Sequence, residues 1–197
     1  MLTKVITVVL KITSMKITKK SLNRFKDDVA KMSGGTFHHH VHILPCLFDG
    51  GDYLEIGSYQ GGSALAASQR ECRMTLVDAG LFNKGHIEAN LKGKDYRLLI
   101  GDSKEVKFGD RFYDLIFIDG DHSISGVMAD WNNTKNLIKQ GCCIAFDDYG
   151  DSKYCPEVKM AVDKIDFTGF EVVGQLKNTT KAYPETELNN LFIVRKL

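Results

Sequence analysis

The sequence has no apolar run long enough to cross a bilayer, no C-x-x-C pair, no internal repeat and no excess of charge of either sign. Each absence narrows the range of functions. Twenty-six Lys and Arg against 25 Asp and Glu leave a net charge of +1. No basic face is evident, so neither nucleic acid nor a membrane surface is expected as a partner. Residues 1–10 (Met-Leu-Thr-Lys-Val-Ile-Thr-Val-Val-Leu) are apolar apart from Lys4 and two threonines, too short to span a membrane, and followed by no small-residue cleavage pattern. They are expected to add a strand or an appended segment, one able to pair with a second copy of the chain, and not to direct secretion. The five cysteines are odd in number, with Cys142 and Cys143 adjacent. They suit small core residues in a reducing cytoplasm better than disulfides, and the missing C-x-x-C spacing leaves no zinc motif.

What is present reads as one soluble domain. At 197 residues, with 43% hydrophobic and 26% charged residues, the chain can bury a proper core. The stretch over 52–62, Asp-Tyr-Leu-Glu-Ile-Gly-Ser-Tyr-Gln-Gly-Gly, organises the rest. A short apolar strand at 53–56 carries Glu55 near its end. A glycine-bearing turn follows, and then a helix over 63–70 with Ser63 as its cap. Strand, glycine turn and helix start bring backbone N–H groups against a nucleoside or nucleotide. The dinucleotide spacing G-x-G-x-x-G is absent, since position 59 is Tyr.

Further strands are expected at 74–78, 96–100, 113–118 and 142–146, separated by helices at 83–91 and from 123 to about 139. This alternation predicts a parallel sheet covered on both faces. After a helix at 157–165, strands at 170–176 and 191–195 follow without a helix between them, which predicts a terminal antiparallel hairpin. The fold class is therefore α/β, a Rossmann-like, seven-stranded, mostly parallel sheet. Residues 1–47 are expected to form an N-terminal extension and acceptor-side cap, with a helix at 22–32, and 48–197 the core. His38, His39, His40 and His42 precede a short helix. Three consecutive histidines cannot share a helix face, so they read as a polar loop, or as one or two cleft-lining residues, and not as a tetrahedral cluster.

Acids gather at the strand ends. Asp78 ends the second strand 21 residues beyond Gly57, where a carboxylate accepts hydrogen bonds from ribose hydroxyls. Asp119 ends the fourth strand, and Asp147 with Asp148 ends the fifth. Neighbouring strands lie roughly 5 Å apart, so three carboxylates converge and would repel one another without a cation. Oxygen donors of this kind suit Mg2+ or Mn2+. Asp121 and His122 follow Asp119 closely enough to serve as a general base. His122 is favoured because it titrates near neutrality. Trp131 reads as core and Asp130 as a brace for a neighbouring loop. Tyr149 suits either packing or the acceptor.

Three segments, 54–63, 117–131 and 145–149, resemble class I S-adenosylmethionine-dependent methyltransferases, whose first motif, acid-x-Gly-x-x-x-Gly, is matched by Glu55, Gly57 and Gly61. The likeness is greatest to the metal-dependent sugar O-methyltransferase and cephalosporin hydroxylase-like branch. It implies S-adenosylmethionine bound by Glu55, Gly57, Ser58, Tyr59, Gly61, Ser63, Asp78 and Asp119, with Asp102 or Ser103 near the adenine. It also implies Mg2+ or Mn2+ on Asp119, Asp147 and Asp148. The expected reaction is methyl transfer to a hydroxyl of a sugar or glycan. A catechol-type enzyme is a close rival, but that family has a lysine three positions after its first ligand and Asp-Asn in the later pair, where this chain has His122 and Asp147-Asp148. A nicotinamide-dependent oxidoreductase fits the glycine spacing poorly, and a non-catalytic S-adenosylmethionine-binding module has no need of the acids.

Overall fold

The computed structural model describes residues 39–176 and 191–197. The N-terminal segment 1–10, the helix expected at 22–32 and His38 lie outside them. The apolar runs form seven strands: β1 (Gly51–Ile56), β2 (Cys72–Asp78), β3 (Tyr96–Ile100), β4 (Tyr113–Ile118), β5 (Ile138–Phe146), β6 (Phe170–Leu176) and β7 (Leu191–Lys196). They make one sheet in the order β3-β2-β1-β4-β5-β7-β6. The first five strands run parallel, and β7 is antiparallel to both β5 and β6. The helices are α1 (Gly62–Ala67), α2 (Lys84–Asn90), α3 (Ile124–Thr134) and α4 (Pro156–Val162), with 3-10 turns at His39–Cys46 and Leu81–Asn83. This is the Rossmann-like, mostly parallel sheet with antiparallel C-terminal strands that the sequence predicts.

Side chains alternate across the sheet, so each strand feeds two cores. Tyr53, Leu76, Leu115 and Phe117 pack on one face against Leu44, Leu47, Ala64 and Ile87. Leu54, Ile56, Ile116 and Ile144 pack on the other against Val127, Trp131, Val158 and Val162. Burial on both faces explains the near-continuous apolar strands. Trp131 is core, tilted against Phe170 and edge-on to Phe167. Cys143 is buried and Cys142 half-buried, both as free thiols. Among the described residues no helix is long and apolar enough to cross a membrane.

Three helix boundaries differ from expectation. The helix expected over 63–70 spans Gly62–Ala67, and its N-cap is Gly61 in the left-handed region, with φ 84. Ser63 lies inside the first turn and donates its hydroxyl to Glu55 Oε1 at 2.7 Å. A buried carboxylate competes better for that hydroxyl than the helix end does. The helix expected to reach about 139 stops at Thr134. Leu137 N–H bonds the Thr134 carbonyl and Tyr113 N–H bonds the Leu137 carbonyl, which turns the chain into the sheet, where Ile138 pairs with Tyr113 across an irregularity. Burying Ile138 beside β4 overrides its helical spacing. The helix expected at 157–165 starts at Pro156, whose fixed φ suits a first turn, and ends at Val162.

The chain leaves β1 toward β2 and β3 on one side, then returns to place β4 and β5 on the other. The crevice at such a switch point, beyond the strands' carboxyl ends, is where this architecture holds ligands. Gly57, with φ +86, makes the crossing there. A Cβ on it would stand 1.7 Å from the Asp119 carbonyl oxygen. Two residues earlier, Glu55 is wholly buried. It accepts hydrogen bonds from Tyr53 Oη at 2.5 Å and Ser63 Oγ, and burial pushes its carboxyl up to about 7.

Gly57→Ala is expected to lose roughly 4 kcal/mol or more in a urea titration, because backbone must move to admit the methyl. Gly141→Ala, with φ +78 and open space around it, should lose only about 1–2 kcal/mol of left-handed strain. The Glu55 proton is held more tightly in the folded chain than in the unfolded one, so its contribution favours folding below about pH 4.5 and is lost as pH rises to about 7. Denaturation midpoints from pH 4 to 8 should therefore move in favour of Glu55→Gln, relative to the wild type, by on the order of 3 kcal/mol across that window.

Candidate active site

A cleft of about 670 Å³ opens at the carboxyl ends of β1 to β5. Its wall near β1 and β2 is backbone held in place by one carboxylate. Gly57 and Ser58 N–H both bond the Val77 carbonyl, at 2.8 and 3.1 Å. Tyr59, at φ 44, donates its N–H to Asp78 Oδ2 at 2.5 Å, while Asp78 Oδ1 accepts from Gly80 N at 2.7 Å and Asn83 Nδ2 at 3.1 Å. Asp78 thus joins the loops after β1 and β2. Gly57, Tyr59 and Asp78 line the cleft. Glu55, Ser58, Gly61 and Ser63 stand behind that wall and shape the turn from there.

Asp102 and Ser103, after β3, also line the cleft. Asp102 Oδ1 accepts the Lys104 N–H at 2.9 Å. Ser103 Oγ donates to Asp130 Oδ1 at 2.5 Å, so Asp130 does brace a neighbouring loop. Asp130 is 1% exposed, burial pushes it up to about 6, and its Oδ2 has no hydrogen-bond partner. Lys104 Nζ reaches across to Asp121 Oδ2 at 3.2 Å and joins the loops after β3 and β4. Asp121 also accepts the Ser123 N–H at 3.0 Å. That backbone hydrogen bond leads the effects that hold it below the usual carboxylate range.

The far end of the cleft is acidic. Parallel pairing carries Asp119 and Asp147 to the same level: Asp119 N–H bonds the Ile56 carbonyl, and Asp147 N–H bonds the Ile118 carbonyl, each at 2.9 Å. Asp147 Oδ1 accepts the Asp148 N–H at 2.8 Å, and Asp148 takes φ 54, a strained conformation of the kind found at functional sites. Asp119, Asp147 and Asp148 all line the cleft. Burial first, then the charges of Asp147 and Asp148, push the Asp119 carboxyl well above its ordinary value.

His122 sits among them. Its Nε2 lies 3.1 Å from Asp119 Oδ1 and 3.6 Å from Asp148 Oδ2. The hydrogen bond to Asp119, with the surrounding carboxylates, raises its pKa to about 9 against the opposing effect of burial. Its Nδ1 lies 3.1 Å from Cys155 Sγ, and that thiol donates to Asp148 Oδ2 at 3.5 Å. Three of these participants carry no signal in the sequence. Cys155 is 33 residues from His122 and is brought in by the loop before α4. Lys104 reads as an ordinary surface lysine. Phe82 lines the cleft while 78% exposed, in a 3-10 turn just ahead of the helix expected from residue 83. The side chains of His39, His40 and His42 lie outside the description.

Three carboxylates at one end of the cleft are the donor chemistry of a hard divalent cation. Asp119, Asp147 and Asp148 line the same end of the cleft, but the convergence of all three on one point expected from the strand spacing is not found: among the described residues the one group of donor atoms within 4.8 Å of one another is His122, Asp148 and Cys155, because the Asp119 carboxylate is turned to the His122 ring. The charges of Asp147 and Asp148 add to burial in discouraging Asp119 from ionising, a crowding that a cation among them would relieve. Without one, His122 supplies the compensating positive charge.

Comparison with known proteins bears on the family and the fold. The profile of a family described as a methyltransferase domain matches residues 54–149. A curated relative, uncharacterized protein R132 of Acanthamoeba polyphaga mimivirus, is 31% identical over 198 positions, covering 83% of this chain and 90% of that one. Among solved structures, the O-methyltransferase TomG from Streptomyces achromogenes superposes with a TM-score of 0.66 at 11% identity, over 98% of this chain and 97% of its own. An rRNA methylase from Streptococcus thermophilus gives 0.63 at 12%, over 84% and 99%. TrmN from Thermus thermophilus gives 0.65 at 15%, over 88% of this chain, which spans about half (52%) of that protein. At such identities the solved structures speak for the fold, which hosts more than one kind of acceptor. The chain belongs to one family with the mimivirus protein, matches the methyltransferase domain over residues 54–149 and has the Rossmann-like methyltransferase fold.

Proposed function

We propose that this chain is a divalent-metal-dependent O-methyltransferase that moves the methyl group of S-adenosylmethionine to a sugar or glycan hydroxyl. The observation that carries the reading is that Asp119 and Asp148 meet His122, with Asp147 beside them, at one end of a cleft whose other end is the Gly57–Asp78 cradle. The cofactor belongs at the cradle. A carboxylate offers about four lone-pair sites; three donors already occupy Asp78, which leaves room for a ribose hydroxyl. Ser103, its proton committed to Asp130, presents lone pairs to an N–H donor such as the adenine amino group. TomG, whose structure was solved with S-adenosylmethionine, supports the cofactor by analogy of fold.

The acceptor belongs at the acidic end. A divalent ion held by Asp119, Asp147 and Asp148 would lower the pKa of a hydroxyl bound to it and fix its position. His122 is the proton acceptor in this reading. Its own proton is held by the carboxylates beside it, so once their charge is compensated the imidazole can be neutral near pH 7. The transfer then balances: the hydroxyl oxygen forms the new bond to the methyl carbon, the carbon–sulfur bond breaks, the proton goes to His122, and S-adenosylhomocysteine leaves. Asp121 is the weaker candidate, since it is paired with Lys104 and held acidic. Histidine after the first ligand and the Asp147-Asp148 pair support the sugar branch over the catechol branch.

Labelled methyl transfer to a panel of sugars and catechols, with and without a chelator, tests the reading. Methylation of a sugar that stops with chelator and returns with Mg2+ or Mn2+ is expected; transfer indifferent to chelator would overturn the metal role. Asp119→Ala and Asp148→Ala should abolish turnover while S-adenosylhomocysteine affinity stays within about 3-fold of the wild type, below the 1.4 kcal/mol that marks a tenfold change. His122→Ala should slow turnover by roughly 100- to 10,000-fold. Equal loss of cofactor affinity in the aspartate variants would contradict this division of the cleft.

A further inference from the structure

The acidic end of the cleft carries two donors that a hard ion does not call for. Cys155 Sγ lies 3.1 Å from His122 Nδ1 and 3.5 Å from Asp148 Oδ2. One ligand atom from each of the three lies within 4.8 Å of the others, the one such group among the described residues. Zinc holds sulfur at about 2.3 Å and nitrogen or oxygen at about 2.0–2.2 Å, so tetrahedral neighbours stand roughly 3.3–3.7 Å apart. The two edges that meet at Cys155, 3.1 and 3.5 Å, fall close to that spacing, and the third lies within 4.8 Å.

The outer contacts fit too. With Nδ1 turned toward Cys155, His122 Nε2 is held by Asp119 Oδ1 at 3.1 Å. A carboxylate on the far nitrogen is the arrangement that orients a metal-bound imidazole and raises its basicity. Asp148 is buried and set at φ 54, so its carboxylate is fixed by the backbone and not by a flexible stem. Three protein donors of mixed nitrogen, sulfur and oxygen character, facing an open cleft, match an ion with one remaining position.

We propose that His122, Asp148 and Cys155 form a binding site for a thiophilic divalent ion of the zinc class, overlapping the hard-cation position at Asp148. The two ions exclude each other because both need that carboxylate. Soft sulfur and imidazole donors select Zn2+ or Co2+ over Mg2+. The consequence for turnover, and only that, rests on the methyl-transfer reading: an ion on this triad removes both the proton acceptor and one carboxylate from the reaction, so zinc acts as an inhibitor competing with magnesium.

Cobalt titration of the metal-free full chain tests the site without any methyl transfer. The wild type should develop a near-ultraviolet thiolate-to-cobalt charge-transfer band that saturates at one equivalent and is erased by Zn2+. Cys155→Ser should lack the band, and His122→Gln should bind about 10-fold or more weakly. Cys46, Cys72, Cys142 and Cys143 remain in Cys155→Ser, so a band that survives there overturns the proposal, as does no band in the wild type. A second measurement needs no variant: Zn2+ should protect Cys155 from alkylation, read by peptide mass spectrometry, while Mg2+ should not. Equal alkylation with and without Zn2+ contradicts the site even if every variant misfolds. A chain that shows the band but no metal-dependent methyl transfer keeps this site and loses the proposed reaction.

Discussion

Repulsion among three carboxylates at the ends of two adjacent strands is the constraint around which the rest of the cleft is arranged. Asp119 and Asp147 are fixed in level by the β1–β4 and β4–β5 ladders, and Asp148 is tied to Asp147 through its own N–H. None of them can retreat without breaking a strand end. The chain answers with His122, placed by the turn into α3 so that its ring lies between Asp119 and Asp148. An imidazolium there is a provisional solution, since its charge resides on a group that can give up its proton. A bound cation is the more complete one. Burial first, and the neighbouring carboxylates after it, account for the reluctance of Asp119 to ionise, and the hydrogen bond and charge of those carboxylates account for the lifted basicity of His122.

The fold serves this arrangement by making the sheet rigid on both faces. The inner strand residues Tyr53, Leu54, Ile116, Phe117 and Ile144 are fully buried, each worth roughly 1.5–3 kcal/mol relative to exposure. Rigid strands are what allow their ends to aim side chains within fractions of an ångström. The contact of Gly57 with the Asp119 carbonyl joins the two halves of the cleft at the switch point. The glycine-turn end and the acidic end are consequently set by one backbone crossing and not by two independent loops. Lys104 with Asp121, and Ser103 with Asp130, add side-chain links across the same boundary.

Much of this was legible in the sequence where one physical signal dominated. Buried parallel strands leave continuous apolar runs, and β3 and β4 fall at the residues expected. Strand-end acids were legible because the architecture puts every parallel strand's carboxyl end on one side. Where two tendencies competed, the sequence misled. Ser63 has the chemistry of a helix cap, but the buried Glu55 carboxylate takes its hydroxyl. Residues 135–139 continue a helical pattern, but sheet burial of Ile138 ends it early. Cys155 was invisible for a different reason. Its partners are 7 and 33 residues away, with no local spacing to betray them, and only the packing of α4 beside α3 brings the thiol to His122. The unpartnered Oδ2 of Asp130 was likewise beyond reach, since it depends on Gly120 closing over it.

The central claim, that the acidic end is built for a hard cation beside the cofactor, is tested most directly by anomalous diffraction. Crystals grown with S-adenosylhomocysteine and Mn2+ should show one strong manganese peak among the carboxylates of Asp119, Asp147 and Asp148, with S-adenosylhomocysteine in the cradle between Gly57 and Asp78. Manganese elsewhere, or S-adenosylhomocysteine bound with the carboxylates still gathered only around His122, would contradict the account.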